Sequence, residues 1–556
     1  MAKKVVIVGG VAGGASAAAR LRRLDEKMEI ILFERGDHIS FATCGLPYYV
    51  GGVIEKRRSL LVQTPAGMRK RYNLDIRNRC EVMRILPAEK QVEVTDLREE
   101  KTYLESYDYL VLSPGARPVV PDLPGIGLPN VFTVRNIPDS DRIKEYVETE
   151  KPATAVVVGG GFIGLEMVEA LYHKGVTVTV VEAGRQVMGA LDPEMAAIVQ
   201  KYLQGQGVKI ILGDKLTALG GISRVERIIL ESGREIPAEM VVLGIGVRPE
   251  VRLAEEAGLT IGATGGIQVD EYMRTSDPSI YAVGDAVQVK HYVTGLAALI
   301  PLAGPASRQG RLVADNIAAV PAKYTGVQGT AIAKVMDLTA AVTGANEKTL
   351  RRAGIKYLAC YTHPDHHAVY YPGSRRMSIK LLFSPGAGDI LGAQVVGYKG
   401  VDKCIDVLAT ALRAKMNVFD LQELELAYAP PFSGAKSPVN MLGYTAGNIL
   451  RKEVEVIRWG EVEQLLDGGA VLVDVRAAKE LDKFGAVKGA INIPLDELRD
   501  RLAGIPEDRE VLVYCQAGQR SYVASRVLTQ RGYKVKNIGG GYKSYRILNN
   551  NPSGKE

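Results

Sequence analysis

The sequence has no pair of cysteines close enough to work together. Its five, Cys44, Cys80, Cys360, Cys404 and Cys515, are odd in number and widely scattered over 556 residues. That pattern excludes a disulfide scaffold and a standard zinc site. Histidine is scarce at six residues, and the cluster His363-Pro364-Asp365-His366-His367 lacks metal spacing and reads as a surface loop. No metal is expected. Uninterrupted apolar runs of about 18 residues are missing, and Met1-Ala2-Lys3-Lys4 enters a strand without a leader. A cytoplasmic chain with no membrane partner follows as the expectation. Basic runs interleaved with aromatics are also missing, so no nucleic-acid partner is expected. The net charge of +7 leaves two readings, an ordinary solvated surface or arginines serving anionic nucleotide ligands.

Glycine, in contrast, is abundant at 60 residues, and its placing is orderly. Val5-Val6-Ile7-Val8 reads as a parallel strand buried on both faces. The turn Gly9-Gly10-Val11-Ala12-Gly13-Gly14, a helix over 15–24 and a strand over 29–33 follow, ending at Glu34. Such a turn lets N–H groups at a helix start face a pyrophosphate, and the acidic residue accepts from a ribose hydroxyl. Val11 replaces the middle glycine of G-x-G-x-x-G, which weakens this motif taken alone.

The chain then repeats the unit. Ala155-Val156-Val157-Val158 leads into Gly159-Gly160-Gly161-Phe162-Ile163-Gly164, with the full glycine pattern, a helix from 165 and a strand over 177–181 ending at Glu182. Two such units in one chain are far more specific than one. Between and after them, buried strands stop at Pro/Gly turns at Ser113-Pro114-Gly115 and Gly244-Ile245-Gly246, plausible domain crossings. Asp285, in Val283-Gly284-Asp285-Ala286, reads equally as a polyol ligand or an N-cap.

These signatures, in this order, resemble the flavin-dependent pyridine nucleotide–disulfide oxidoreductases over residues 1 to about 446. The resemblance implies two nested three-layer, Rossmann-like α/β domains, one for FAD (1–115 and 250–325) and one for NAD(P)H (116–249). An α+β dimerisation domain (326–446), and hence a homodimer, is implied as well. For FAD it designates Gly9, Val11, Ala12, Gly13, Gly14, Glu34, Arg35, Ser113, Gly115 and Asp285, with Leu302 and Ala303 against the flavin. For the nicotinamide cofactor it designates Gly159, Gly161, Phe162, Ile163, Gly164, Glu166, Glu182 and Gly246. The charge of Glu182 favours NADH over NADPH, although Arg185 softens the preference.

The pattern Ser40-Phe41-Ala42-Thr43-Cys44-Gly45-Leu46-Pro47-Tyr48 is similar to the single-cysteine branch, the coenzyme A–disulfide and polysulfide reductases. A lone cysteine must pair with a diffusible thiol or cycle through sulfenic acid. The first route gives a disulfide or persulfide reductase, the second an NADH oxidase or peroxidase. A redox-sensing protein without turnover is a third reading. Ser16, Arg20 and Arg23 share one helical stripe, which is either a solvated face or a polyphosphate clamp. The resemblance assigns that stripe, with Ser40, Thr43, Arg71 and Lys436, to coenzyme A. It also presents Tyr370 and Tyr428 across the dimer to the active-site sulfur, where a phenol can protonate a departing thiolate.

After a linker at 447–457 the pattern changes, and residues 458–556 show a third α/β alternation. Cys515 heads the loop Cys515-Gln516-Ala517-Gly518-Gln519-Arg520 at the end of a buried strand and the start of a helix. N–H groups and a helix dipole there stabilise an anionic sulfur. With Asp474-Val475-Arg476 and Gly540-Gly541-Tyr542, this region resembles a rhodanese domain. Four residues separate Cys515 from Arg520, the sulfurtransferase loop length rather than the longer phosphatase loop. The chain therefore reads as an NAD(P)H- and FAD-dependent reductase of coenzyme A disulfide, persulfide or polysulfide. Cys44 is its redox centre, Cys515 its sulfane carrier, and Arg520 completes the second loop.

Overall fold

The computed structural model describes residues 3–549, so the expected rhodanese domain is seen except for its last residues, 550–556. The chain folds as two compact units. The first contains residues 3–185 and 208–329, the second residues 186–207 and 330–549.

The first unit holds two parallel five-stranded sheets, built alike. In one, Lys4–Val8 lies between Glu29–Glu34 and Tyr109–Leu112, with Asp75–Asn78 and Ile280–Ala282 at the edges. In the other, Thr154–Val158 lies between Thr177–Glu182 and Met240–Leu243, flanked by Lys209–Leu212 and Val131–Thr133. Continuous β-branched runs suit strands covered on both faces, and Val5, Val6 and Ile7 are fully buried. In each sheet the glycine turn follows the central strand where the strand order reverses, the place at which such sheets bind ligands. The two Pro/Gly crossings meet: Ala116–Pro118 pairs antiparallel with Val247–Pro249.

The second unit joins a five-stranded antiparallel sheet (residues 331–397), backed by the helices Val401–Arg413 and Pro438–Leu450, to a parallel five-stranded sheet at the C-terminal end. The strand order of the parallel sheet is Val456–Ile457, Val535–Ile538, Val511–Tyr514, Val471–Asp474, Ile491–Asn492. Its central strand delivers Cys515.

The histidine cluster departs from the expected surface loop. His367 is buried and packs edge-on against Tyr371, while the Nε2 of His363 is closed off from solvent. Burial holds the His363 imidazole down at about 3, so it stays neutral. It is core rather than surface because Ser378 on the neighbouring strand binds its Nδ1 at 2.9 Å.

An ionic core beneath the antiparallel sheet was not legible in the sequence. Lys380, fully buried, meets Asp192 at 2.7 Å, Glu347 at 2.6 Å and also Glu194. Glu347 further accepts from Arg351, Tyr357 and Arg458 at 2.7–2.9 Å. Burial alone would raise the Glu347 carboxyl, but Lys380 and Arg458 override it and hold it at about 2. The three carboxylates form the one metal-like group among the described residues, and the ammonium of Lys380 sits among them. Lys380→Met should destabilise the protein by about 3–5 kcal/mol, because buried carboxylates lose their counter-charge. A depressed carboxyl contributes stability above its unfolded value, here 4.5, and loses it as pH falls toward 2. The gap in urea midpoint between wild type and Lys380→Met should therefore be full at neutral pH and narrow below about pH 4. A gap independent of pH would contradict this account.

Candidate active site

Each glycine turn is forced by backbone contact rather than by flexibility alone. A Cβ on Gly9 (φ +96°) would lie 2.1 Å from the Ser113 carbonyl oxygen, and one on Gly14 would lie 1.9 Å from the Gly9 oxygen. In the second turn, Gly159 and Gly164 are bound in the same way by the oxygens of Gly244 and Gly159. Val11 is tolerated because it occupies the helix N-cap at negative φ, and Ala12 begins the helix. Both terminal glutamates also do the same work. Glu34 accepts from the Gly10 and Gly36 N–H groups at 2.9 Å, and Glu182 from those of Gly160 and Gly184 at 2.8 and 2.7 Å.

Ser113 Oγ accepts from the Gly14 N–H at 3.1 Å, tying the first crossing to the turn. Gly115 and Gly246 both take positive φ, at +72° and +111°, at the base of the paired ribbon. Arg35 turns to Glu250 (3.5 Å), which also pairs with Arg117 and Arg135. Gly161 caps the second helix, which opens on Phe162 and Ile163. Leu302 caps the helix that begins at Ala303.

Asp285 is not an N-cap. It lies inside the short turn Gly284–Ala286, whose cap is Val283. Burial is the sole cause raising its carboxyl, with no cation beside it. A desolvated acid two residues after Val283, which packs on Gly13 of the glycine turn, fits a polyhydroxyl ligand, and this favours FAD at the first sheet.

Beside the glycine turn lies a cleft of about 390 Å³, of ordinary small-ligand size. Ala12, Ala15, Ser16, Ala19 and Arg23 line it along one face of the first helix, together with Ser40. The lining also includes Gln63 and, from helix Ala303–Ile317, Ser307 and Arg311. The two helices cross closely because Gly310 lacks a side chain; a Cβ there would meet the Gly13 oxygen at 2.1 Å. Arg20 does not line the cleft: its guanidinium pairs with Asp315 at 2.7 Å. Thr43 and Arg71 are exposed outside the lining. Gln63, Ser307 and Arg311 escaped sequence reasoning, although Ser307 and Arg311 share a helical face.

Cys44 is exposed in the turn Thr43–Gly45, whereas Cys80, Cys360 and Cys404 are buried. Burial pushes the Cys360 thiol up, and that of Cys404 to about 12, which suits inert filler. In the second unit the hydroxyls of Tyr370 and Tyr428 meet at 2.9 Å on an exposed surface, and Lys436 is exposed as well.

Cys515 is buried, and its Sγ accepts from the Gly518 N–H at 3.1 Å. Gly541 lets the last loop close on it, since a Cβ there would reach the Cys515 oxygen at 2.4 Å. Arg476, fully buried, forks onto Asp474 (2.6–3.0 Å), stacks on Tyr542 at 3.9 Å and donates to the Gln516 side-chain oxygen at 3.3 Å. Arg520 is bidentate to Glu480 at 2.5 and 2.7 Å.

Residues 3–310 match the family model described as pyridine nucleotide-disulphide oxidoreductase, and residues 330–438 match its dimerisation domain. The chain belongs to the pyridine nucleotide-disulphide oxidoreductases. Its members use FAD and NAD(P)H, and the glycine turns and Asp285 described above fit those groups. A rhodanese-like domain matches residues 459–547. The chain is similar over 99% of its length to the reduced CoADR-RHD protein of Bacillus anthracis, with 98% of that chain covered, 51% identity and a TM-score of 0.97. An NAD-dependent persulfide reductase from A. fulgidus is 40% identical, with 98% and 100% covered and a TM-score of 0.92. The coenzyme A disulfide reductase of Staphylococcus aureus (strain bovine RF122 / ET3-1) is 34% identical over 80% of this chain and 99% of its own. The family fold and the C-terminal rhodanese domain expected from the motifs are both present.

Proposed function

We infer that the protein is an NAD(P)H- and FAD-dependent reductase of coenzyme A disulfide, coenzyme A persulfide or polysulfide, with sulfane sulfur handled by its rhodanese domain. The observation that carries the reading is Cys44, an exposed cysteine four residues from Ser40 in the cleft wall, with the other four cysteines buried. A thiol without an internal partner must form its disulfide with an external one.

Bound FAD supplies a two-electron relay from the nicotinamide to sulfur. The Cys44 thiolate attacks the S–S bond of the substrate, forming a mixed disulfide and releasing one thiolate. Two electrons and a proton then reduce that bond, restoring the Cys44 thiolate and releasing the second thiol. The balance is NAD(P)H + H⁺ + RSSR giving NAD(P)⁺ and 2 RSH. Ser16, Arg23 and Ser40 hold the coenzyme A phosphates and stem, joined by Arg311. The resemblance also assigns Arg20, Thr43, Arg71 and Lys436 to coenzyme A, but none of them lines the cleft, and Arg20 is engaged by Asp315. Presented across the dimer, Tyr370 and Tyr428 protonate the leaving sulfur, and their hydroxyls, paired at 2.9 Å, suit that task.

The division into FAD domain (1–115, 250–325), NAD(P)H domain (116–249), dimerisation domain (326–446), linker (447–457) and rhodanese domain (458–556) belongs to this proposal, as do NADH preference, a homodimer and a cytoplasmic site of action. No described helix is long and apolar enough to cross a membrane. Mass spectrometry of the intact oxidised protein should find a coenzyme A adduct that dithiothreitol removes and that maps to Cys44. An unmodified Cys44 after incubation with coenzyme A disulfide would overturn the assignment.

A further inference from the structure

Two guanidiniums belong to the Cys515 loop or touch it, and each is matched by a carboxylate. Gly518, whose N–H reaches the Cys515 Sγ at 3.1 Å, caps the helix Gln519–Gln530, so Arg520 stands in the first turn of that helix, two residues beyond the contact. Its guanidinium forks onto Glu480, Nη1 to Oε2 at 2.5 Å and Nη2 to Oε1 at 2.7 Å. Arg476, which donates to Gln516 in the loop, is matched in the same way by Asp474 at 2.6 Å.

Glu480 is held in place by more than this pair. It is the third residue of the helix Ala478–Phe484, where its carboxylate also accepts from the Ala477 N–H at 3.2 Å. The far end of that helix is tied down as well. Arg476 donates to the Gly485 carbonyl at 2.9 Å, and the Tyr542 phenol to the Phe484 carbonyl at 2.8 Å. The hydrogen bond from Arg520 holds the Glu480 carboxyl below the usual carboxylate range, so it is charged at neutral pH. A partly exposed pair of this kind adds little stability. Its consequence is the charge it cancels in the first turn beyond the sulfur.

We propose that Glu480 determines which sulfur donor the rhodanese domain accepts, by cancelling the charge of Arg520 beside the Cys515 loop. The inference rests on the sulfurtransferase reading of Cys515 and adds the residue that selects its substrate class, organic persulfides over thiosulfate. With a persulfide, the Cys515 thiolate attacks the outer sulfur of RS–SH. A new S–S bond forms as the old one breaks, RS⁻ departs, and the proton stays on the transferred sulfur. With thiosulfate the same attack expels sulfite, so a thiolate and a dianion must share the loop. Backbone N–H groups suffice for the first case. The second calls for a free guanidinium, which Glu480 withholds.

The test compares coenzyme A persulfide and thiosulfate as donors to the full-length, FAD-loaded protein, with cyanide as acceptor and thiocyanate measured above the uncatalysed rate. Wild type should prefer the persulfide; equal use of thiosulfate would overturn the proposal. Glu480→Gln keeps an acceptor for the Ala477 N–H and for Arg520 but drops the charge. It should raise kcat/KM for thiosulfate about tenfold, chiefly through KM, and change the persulfide value less than about twofold. Adding Arg520→Gln should remove that gain, because the charge released is that of Arg520. A merely structural role predicts loss with both donors and gain with neither. If Glu480→Gln does not fold, Arg520→Gln alone decides, since an unpaired Glu480 should depress thiosulfate use more than persulfide use. A wild-type donor ratio in a variant still active with persulfide overturns the role of Glu480. Transfer from both donors that survives in Cys515→Ala would instead overturn the sulfurtransferase reading beneath it.

Discussion

Cys44→Ser should lose coenzyme A disulfide and persulfide turnover by at least about a thousandfold while its flavin is still reduced by NADH without oxygen at close to the wild-type rate. The two halves of this result come from different parts of the first unit. Reduction of the flavin depends on the glycine turns, and neither Gly9, Gly14, Gly159 nor Gly164 touches the Thr43–Gly45 turn in its steric contacts. Turnover depends on a thiolate that attacks sulfur, and a serine hydroxyl does not form the bond that must later be reduced. The buried cysteines offer no substitute, because burial raises the thiols of Cys80, Cys360 and Cys404. The measurement is stopped-flow absorbance of the flavin beside steady-state NADH consumption with each acceptor. Full turnover by the variant would remove Cys44 from the mechanism. Oxygen or peroxide consumption by wild type that equals persulfide turnover would instead favour the sulfenic acid cycle of an oxidase.

The parts of this site that were legible in the sequence are those fixed by local sterics. Gly9 and Gly14 had to be glycine because their own turn leaves no room for a Cβ, and that constraint shows as a spacing. The Cys515 loop was legible for the same reason: its length and its following helix are written in consecutive residues. Side chains whose partners lie far along the chain were not legible. Arg20 shares a stripe with Arg23, yet Asp315, far along in sequence, claims it. His366 and His367 look like loop residues until their tilted ring contact at 4.1 Å and the burial of His367 are seen. Lys380 reads as one charge in a strand, and its carboxylates come from two distant segments. Helical periodicity names a face, whereas tertiary contact decides which residues on that face are free for a ligand.

Cys515→Ala should abolish sulfane sulfur transfer and leave coenzyme A disulfide reduction within about twofold of wild type, a change well under one kcal/mol in barrier. The substitution removes only a sulfur atom at the end of the central strand Val511–Tyr514, and the loop around it is held by other bonds. The Tyr542 N–H donates to the residue's carbonyl oxygen at 2.7 Å, and the Trp459 indole donates to Gly541 at 2.7 Å. The fold should therefore survive, and the missing function is the anion-stabilising contact from the Gly518 N–H to Sγ. The same loop narrows the donor. Arg520 is neutralised by Glu480, and Gln516 is held by Arg476, so the loop offers N–H groups rather than a free guanidinium. That chemistry suits polysulfide or a coenzyme A persulfide better than a dianionic thiosulfate. Sulfide release from polysulfide, measured beside NADH consumption with coenzyme A disulfide, separates the two activities. Equal loss of both in Cys515→Ala would mean that the two cysteines do not divide the work, and selective loss of sulfide release would place Cys515 upstream of Cys44 for sulfane substrates alone.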